Sequence, residues 1–238
     1  MIFQDYLSEA AVQYGLSLSS HQLNQFTLYY NLLVEWNEKV NLTAITEPKE
    51  VAVKHMIDSL SCCESEVFLP AAAVIDVGTG AGFPGLPLKI FRPDLKLTLM
   101  DSLQKRLTFL EAAVQSLGLE GVTIVHARAE EAARQKEYRE KYDVVVSRAV
   151  ARLNVLAEYC LPFAALGGYF VALKGAQYEM DMKEAEKAVF LLGGGSPRVR
   201  CLYLPGLEDK RAIIYIKKEH ITASTYPRKA GTPEKKPL

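Results

Sequence analysis

The chain has 238 residues, with 28 Lys/Arg against 28 Asp/Glu, a length that allows one sizeable α/β core. Hydrophobic residues make up 49%, and no apolar run approaches the roughly 18 residues that a membrane span needs. The four cysteines form no C-x-x-C pair, so they indicate neither a zinc site nor a disulfide framework. The N-terminal residues lack a signal-peptide pattern, and we therefore expect a cytoplasmic protein with reduced thiols.

Charge is unevenly distributed along the chain. Residues 1–70 carry three Lys/Arg against nine Asp/Glu, residues 71–196 carry fifteen of each, and residues 197–238 carry ten against four. A basic C-terminal end on a neutral protein is compatible with a polyanionic partner. Short basic runs are also common as solvated tails, so charge alone leaves both interpretations open.

Residues 1–68 are predicted to form a helical extension. Apolar residues recur at helical spacing over residues 3–14, and Gly15 can end that helix. A second helix is predicted to start near Ser19, which can cap it, and Pro48 can begin a third.

From residue 69 to 218 the pattern changes to alternating strands and helices. Apolar, β-branched runs predict strands at 74–77, 95–100, 122–126, 143–147 and 169–173. Helical spacing predicts helices at 103–117, 129–134, 153–164 and 178–192. Residues 199–204 and 212–216 are predicted to form a final antiparallel pair. The alternation favours an α/β fold with a mostly parallel, seven-stranded sheet whose last strand is antiparallel.

Residues 219–238 form the third predicted segment. They contain three prolines and few apolar residues, so they lack the side chains for a core of their own. We expect a basic, flexible tail that is mobile or bound to a partner.

The glycine-rich sequence Asp76-Val77-Gly78-Thr79-Gly80-Ala81-Gly82 lies at the end of the first predicted strand. A strand, a glycine loop and a helix in that order place backbone N–H groups at the sheet edge where doubly wound folds bind ligands. A dinucleotide fingerprint needs G-x-G-x-x-G, but Phe83 stands at the third glycine position. The spacing G-x-G-x-G after Asp76 is typical of class I methyltransferases, although a lone glycine loop can also be a simple tight turn.

Charged residues follow the next three strands. Asp101 can accept both hydroxyls of a ribose, or it can cap the helix that follows. Glu130 lies near the expected place of an adenine, or it complements the dipole of the next helix. Arg148 faces the reacting end of a bound cofactor and stays protonated, so it can orient a ligand but not act as a base. Alternatively, Arg148 forms an ordinary ion pair with Asp76 or Glu130.

The assembled motifs resemble one family, the bacterial small-subunit ribosomal RNA methyltransferase G family, also called glucose-inhibited division protein B. The resemblance covers nearly the whole chain. Its motifs here are Trp36-Asn37, Val40–Ile45, His55–Leu60, Asp76–Pro87, Asp101–Arg106, Ser147–Ala149, Leu173–Gly175 and Tyr226–Pro233. The flanking motifs make the match specific, because they are not general methyltransferase features.

The resemblance implies a class I, Rossmann-like fold and methyl transfer from S-adenosylmethionine to N7 of a guanine in 16S ribosomal RNA. It implies cofactor contacts at Gly78, Phe83, Ala129, Glu130 and Arg148. Combined with the residue patterns, the expected cofactor site comprises Asp76, Gly78, Gly80, Gly82, Phe83, Asp101, Ala129, Glu130 and Arg148.

Guanine N7 carries an exposed lone pair, so we assign no acid or base, and Arg148 and Lys174 are candidate orienting groups. The expected RNA-binding residues are Asn41, Lys54, His55, Arg152, Lys174, Arg228 and Lys229. His55 can instead pair with Asp58 at spacing i, i+3. We expect a monomer without a metal, acting on 16S rRNA or the small ribosomal subunit. The alternatives are a methyltransferase for a protein or small molecule, and a non-catalytic ribosome-assembly factor.

Overall fold

The computed structural model describes residues 2–148 and 151–238, so Ala149 of the predicted Ser147–Ala149 motif lies outside the described residues. The strands are β1 (Ala73–Val77), β2 (Lys96–Asp101), β3 (Val122–His126), β4 (Tyr142–Arg148), β5 (Ala164–Lys174), β6 (Arg198–Tyr203) and β7 (Lys210–Lys217). In the described part of the chain they form one seven-stranded sheet in the order β3-β2-β1-β4-β5-β7-β6. Strands β1 to β5 pair in parallel, and β7 lies antiparallel between β5 and β6. The predicted mixed sheet is confirmed.

Helices flank this sheet and form the N-terminal segment. They are α1 (Phe3–Tyr14), α2 (Ser20–Val40), α3 (Pro48–Val51), α4 (Asp58–Leu60), α5 (Gly85–Phe91), α6 (Gln104–Ser116), α7 (Ala129–Ala132), α8 (Leu153–Cys160), α9 (Tyr178–Leu191) and α10 (Thr232–Lys235). A π-helical segment, Ala52–Ile57, joins α3 to α4. Among the described residues, we find no helix with the length and apolar character to cross a bilayer.

The predicted helix boundaries depend on recognisable caps. The Ser19 hydroxyl accepts a hydrogen bond from the Gln22 backbone, and the Gln22 side chain accepts one from Ser19 N, which is a capping box. Gly15 ends α1 at φ 83°, where glycine carries no steric penalty. The predicted helix 153–164 is too long, because Pro162 lacks an N–H and lies in the 3-10 turn Leu161–Phe163.

The strand order reverses between β1 and β4, which are neighbours in the sheet although two strands separate them in sequence. Ligands bind in doubly wound folds in the crevice at this switch point, outside the carboxyl ends of the strands. The glycine loop leaves the carboxyl end of β1, and Arg148 lies at the carboxyl end of β4. The topology therefore brings these two predicted site elements to one crevice.

The helical extension shares a core with one face of the sheet. Phe26, Tyr29 and Leu33 of α2 are fully buried in the same apolar cluster as residues of β1, β2 and β4. The Tyr29 hydroxyl donates to the carbonyl oxygen of Ala81 at 2.5 Å, and its ring lies 5.5 Å from that of Phe83. Helix α2 thus supports the glycine loop through the contacts of Tyr29.

Residues 219–238, which the composition predicts to be a flexible tail, are packed along the sheet domain in the structure. Thr222 and Pro233 are buried, and Tyr226 and Leu238 lie against the second apolar cluster. The apolar side chains of the tail pack against the core that the rest of the chain forms. Composition alone does not predict this packing.

We expect Tyr29→Phe to lower the free energy of unfolding by about 1–3 kcal/mol, because the buried Ala81 carbonyl loses its donor. Tyr30→Phe is the matched control. The Tyr30 hydroxyl donates to Thr46 O at 3.1 Å in an exposed position, so its loss should cost under about 0.5 kcal/mol. Urea denaturation of both variants measures the difference, and equal losses would contradict support of the loop by α2.

Candidate active site

The glycine loop forms the floor of a cavity of about 510 Å³. Gly80 has φ 61°, and a Cβ built there would meet no atom within 4 Å, so the loop is open at that point. Gly82 has φ 98°, and a Cβ there would lie 2.6 Å from Leu86 Cδ1 and 2.9 Å from Tyr29 Oη. Gly80 therefore leaves room toward the cavity, whereas Gly82 allows close packing on α2.

Most of the predicted cofactor residues line this first cavity. They are Gly78, Gly80, Phe83, Asp101, Ala129, Glu130 and Arg148. Asp76 and Gly82 are not among its lining residues, and their contact with a cofactor stays a prediction. Both residues are buried on the side of the loop that faces the protein core.

Asp76 is fully buried behind the loop. Its Oδ2 accepts hydrogen bonds from Thr79 Oγ1 at 2.7 Å and Gly85 N at 2.8 Å. Burial raises the pKa of this carboxyl to about 7. Among the described residues, Oδ1 has no hydrogen-bond partner. Asp76 therefore ties the loop to the start of α5 rather than facing the ligand space.

Asp101 joins the glycine loop to the end of β2. Its Oδ2 accepts from Gly80 N at 2.9 Å and Arg106 Nη1 at 3.3 Å, and its Oδ1 accepts from Leu103 N at 2.9 Å. A carboxylate offers about four lone-pair sites, so it can still accept one further bond. Both predicted roles are compatible in this geometry, because Asp101 organises the turn before α6 and also lines the cavity.

Arg148 connects the end of β4 to the helical extension. Its Nη1 donates to Lys54 O at 3.0 Å and Asp58 Oδ2 at 3.1 Å, and its Nη2 lies 3.2 Å from His55 Nδ1. The guanidinium carbon lies 4.8 Å from the centre of the Phe83 ring. The ion pair is therefore with Asp58, and the predicted pairing with Asp76 or Glu130 is wrong because the extension supplies a closer carboxylate.

His55 is held between Phe83, Thr43 and Arg148. Its ring lies 4.5 Å from that of Phe83, and its Nε2 lies 2.8 Å from Thr43 Oγ1. Nδ1 lies 3.2 Å both from Arg148 Nη2, which can only donate, and from the Lys54 carbonyl oxygen, which can only accept. Burial, followed by the positive charge of Arg148, lowers the pKa of His55 to about 3. His55 and Asp58 both bind Arg148, and the predicted pair between them is replaced by this arrangement.

A second cavity of about 540 Å³ shares His55 and Arg148 with the first. Two further predicted residues, Lys54 and Lys174, also line it. Lys174 Nζ lies 2.6 Å from Asp181 Oδ2 and donates to Ala151 O at 2.8 Å. The wall of this second cavity therefore carries both cations and carboxylates.

The other predicted RNA-binding residues line neither cavity. Asn41 is exposed and ends α2 at φ 50°. The side chain of Arg152 is 71% exposed, and Lys229 is exposed. The guanidinium of Arg228 binds Glu158 at 2.6 Å. Lys229 and Arg152 are thus accessible to a large ligand, whereas Arg228 is engaged within the protein.

Several cavity residues escaped the sequence analysis. They are Thr43, Tyr159, Gly231 and Glu234 in the first cavity and Tyr178, Asp181 and Arg211 in the second. Thr43 and Gly231 lie in the quoted motifs Val40–Ile45 and Tyr226–Pro233, which could have pointed to them. The others lie in no such motif, and only folding brings them to these walls. In residues 2–148 and 151–238, no group of three His, Cys, Asp or Glu side chains is placed to hold a metal ion.

The strand order and the glycine loop after β1 define a class I methyltransferase fold. The solved structure of a precorrin-6y C5,15-methyltransferase from Geobacter metallireducens shares this fold, with a TM-score of 0.53 and 16% identity over 75% of this chain and 91% of that chain. The family model of rRNA small subunit methyltransferase G matches residues 22–210, and the chain belongs to this family.

Full-length relatives agree with the family model. The ribosomal RNA small subunit methyltransferase G of Desulforamulus reducens is 53% identical, over 98% of this chain and 97% of that protein. The protein with the same name from Alkaliphilus oremlandii is 50% identical, over 100% of both chains. The resemblance seen in the sequence motifs is confirmed.

We expect protonation of His55 to destabilise the fold at low pH. Its folded pKa of about 3 lies below the unfolded value of 6.5, so the folded protein binds fewer protons in that window and stability falls as pH is lowered through it. Between pH 7 and pH 5, the wild type should lose about 2 kcal/mol more than His55→Gln. Urea denaturation at the two pH values measures this loss, and identical losses would show that His55 is not buried neutral.

Proposed function

We propose that this protein transfers a methyl group from S-adenosylmethionine to N7 of a guanine in 16S ribosomal RNA, in the cytoplasm where ribosomes work. The observation that carries the proposal is the junction of the two cavities at His55 and Arg148. One cavity has the residues for a nucleoside cofactor, and the adjoining one has room and charge for a nucleotide. Because residues of a single chain line both cavities, a monomer suffices.

We expect each part of S-adenosylmethionine to find a partner in the first cavity. Ala129 and Glu130 would hold the adenine at the end of β3, and Asp101 would accept a ribose hydroxyl with its remaining lone pair. The open backbone at Gly78 and Gly80 would hold the amino-acid part. When bound, the cofactor supplies a methyl group on a positively charged sulfur.

We expect the base that accepts the methyl group to enter the second cavity. Guanine N7 has a free lone pair in the plane of the ring, so no residue has to remove a proton first. The flat, neutral His55 ring and the Arg148 guanidinium can align the base between the two cavities. Alignment of reacting groups contributes roughly 7–11 kcal/mol in favourable cases.

Charge balance in the second cavity suits this reaction. A purine methylated at N7 becomes positively charged, and the carboxylates of Asp58 and Asp181 offset that charge. The same two carboxylates hold Arg148 and Lys174 in place at 3.1 and 2.6 Å. Lys54 and Arg211 also line this cavity, so cations outnumber carboxylates there and can contact phosphate.

The RNA backbone would extend beyond the second cavity. Lys54 and Lys174 line that cavity, and the exposed Arg152 and Lys229 can bind neighbouring phosphates. Contacts of this kind make affinity fall steeply with salt.

The decisive experiment supplies radiolabelled S-adenosylmethionine together with naked 16S rRNA, mature small subunits or partly assembled particles. Digestion to nucleosides should place the label on 7-methylguanosine in at least one of these substrates. Label on a ribosomal protein or a small molecule would support a different methyltransferase. Binding to the RNA without any transfer would support a non-catalytic assembly factor.

We expect Arg148→Lys to lower kcat/KM for rRNA about 100-fold, because lysine keeps the charge but loses the fork that places His55 and Asp58. Affinity for S-adenosylmethionine should change far less. Arg198→Lys is the matched control, since Arg198 pairs with Glu64 at 2.5 Å and lines neither cavity. Steady-state methylation and calorimetric cofactor binding test both variants. Wild-type turnover of Arg148→Lys would exclude Arg148 from alignment of the acceptor.

A further inference from the structure

Residues Thr222–Lys235, which we name the C-terminal strap, cross the sheet domain beside the first cavity. Two arginines that follow α7 hold the first part of the strap by its backbone. Arg139 donates to three strap carbonyl oxygens at 2.7–3.2 Å. Arg134 donates to two more at 2.6 and 3.2 Å. The path of the strap is therefore specified by hydrogen bonds from the core.

A buried ion pair anchors the middle of the strap. The Glu158 carboxylate accepts from Arg228 N at 2.7 Å, from Nε at 2.9 and 3.1 Å, and from Nη2 at 2.6 Å. The Glu158 side chain is 1% exposed, so removal of its partner would leave a charge inside the protein. Arg228 is thus committed to this carboxylate and has little capacity left for a phosphate.

Three residues beyond this anchor, the strap reaches the first cavity. Gly231 N donates to Glu130 Oε1 at 2.9 Å, and the glycine adopts φ 77°. Gly231 and Glu234 line the cavity together with Glu130 and Tyr159. One carboxylate oxygen of Glu130 is therefore held by the strap, and the other can accept a hydrogen bond from a ligand.

We infer that the C-terminal strap forms the wall of the cavity around the adenine of S-adenosylmethionine, and that Arg228 is a positioning residue for Glu130. The inference rests on the proposed function, because it takes the first cavity to be the cofactor site. The strap orients the Glu130 carboxylate to accept from the amino group of the adenine. Cofactor entry and release then require the strap to move, and the Arg228–Glu158 pair opposes that movement.

The first test measures binding of S-adenosylhomocysteine by calorimetry in the absence of RNA. Arg228→Ala should weaken this binding about tenfold and speed its dissociation by a similar factor, because Glu130 loses its hydrogen bond from Gly231. Arg228→Lys retains a charge for Glu158 and should recover most of the affinity. Lys236→Ala removes a charge from the same tail at an exposed position and should bind like the wild type. RNA affinity of Arg228→Ala, measured by filter binding, should be nearly unchanged.

A second measurement needs no variant and covers the case in which Arg228→Ala does not fold. Hydrogen exchange of wild-type residues 226–235 should slow about tenfold when S-adenosylhomocysteine is added, because the ligand closes the wall against the core. Residues 3–14 of α1 serve as the internal control and should not change.

The outcomes separate the two ideas. If the wild type binds S-adenosylhomocysteine but residues 226–235 gain no protection, the inference about the strap is wrong and the proposed function stands. The same conclusion follows if Arg228→Ala binds with full affinity. No binding of S-adenosylhomocysteine by the wild type would overturn both.

Discussion

The site depends on one guanidinium group. Arg148 ends β4, yet its partners are Lys54 O, Asp58 and His55 of the helical extension and the Phe83 ring beside the glycine loop. A planar cation with several donors joins a carbonyl, a carboxylate and an imidazole in a fixed geometry, whereas a lysine is a point charge without this fork. This connection ties the extension to the sheet edge at the place where the two cavities meet.

The same cation determines the electrostatics of the junction. Burial and then the charge of Arg148 lower the pKa of His55 to about 3, so this imidazole is neutral near physiological pH. Asp58 balances the charge of Arg148, and Asp181 balances that of Lys174. Such a junction favours alignment over proton transfer, which agrees with an acceptor nitrogen that already carries a free lone pair.

Most of the fold could be predicted because its signals are local. Ser19, Gly15 and Pro48 mark helix ends by their own backbone chemistry, and the glycine loop follows a short apolar run as expected. One failure was also local. Residues 161–164 continue a helical pattern of apolar side chains, but Pro162 stops the helix and the chain enters β5 early. The spacing of apolar residues indicates which side chains are buried. It carries no information about a missing backbone N–H.

The sequence by itself determined the class of fold, the family, the glycine loop and the positions of Asp101, Glu130 and Arg148 at strand ends. Only the tertiary structure decided what these groups touch. It placed Asp76 behind the loop, gave Arg148 to Asp58 and committed Arg228 to Glu158. The pattern of apolar residues along a strand is local, so the sequence alone can locate the end of the strand. Ion-pair partners are here 70 and 90 residues apart, and which carboxylate a guanidinium meets depends on how the elements pack.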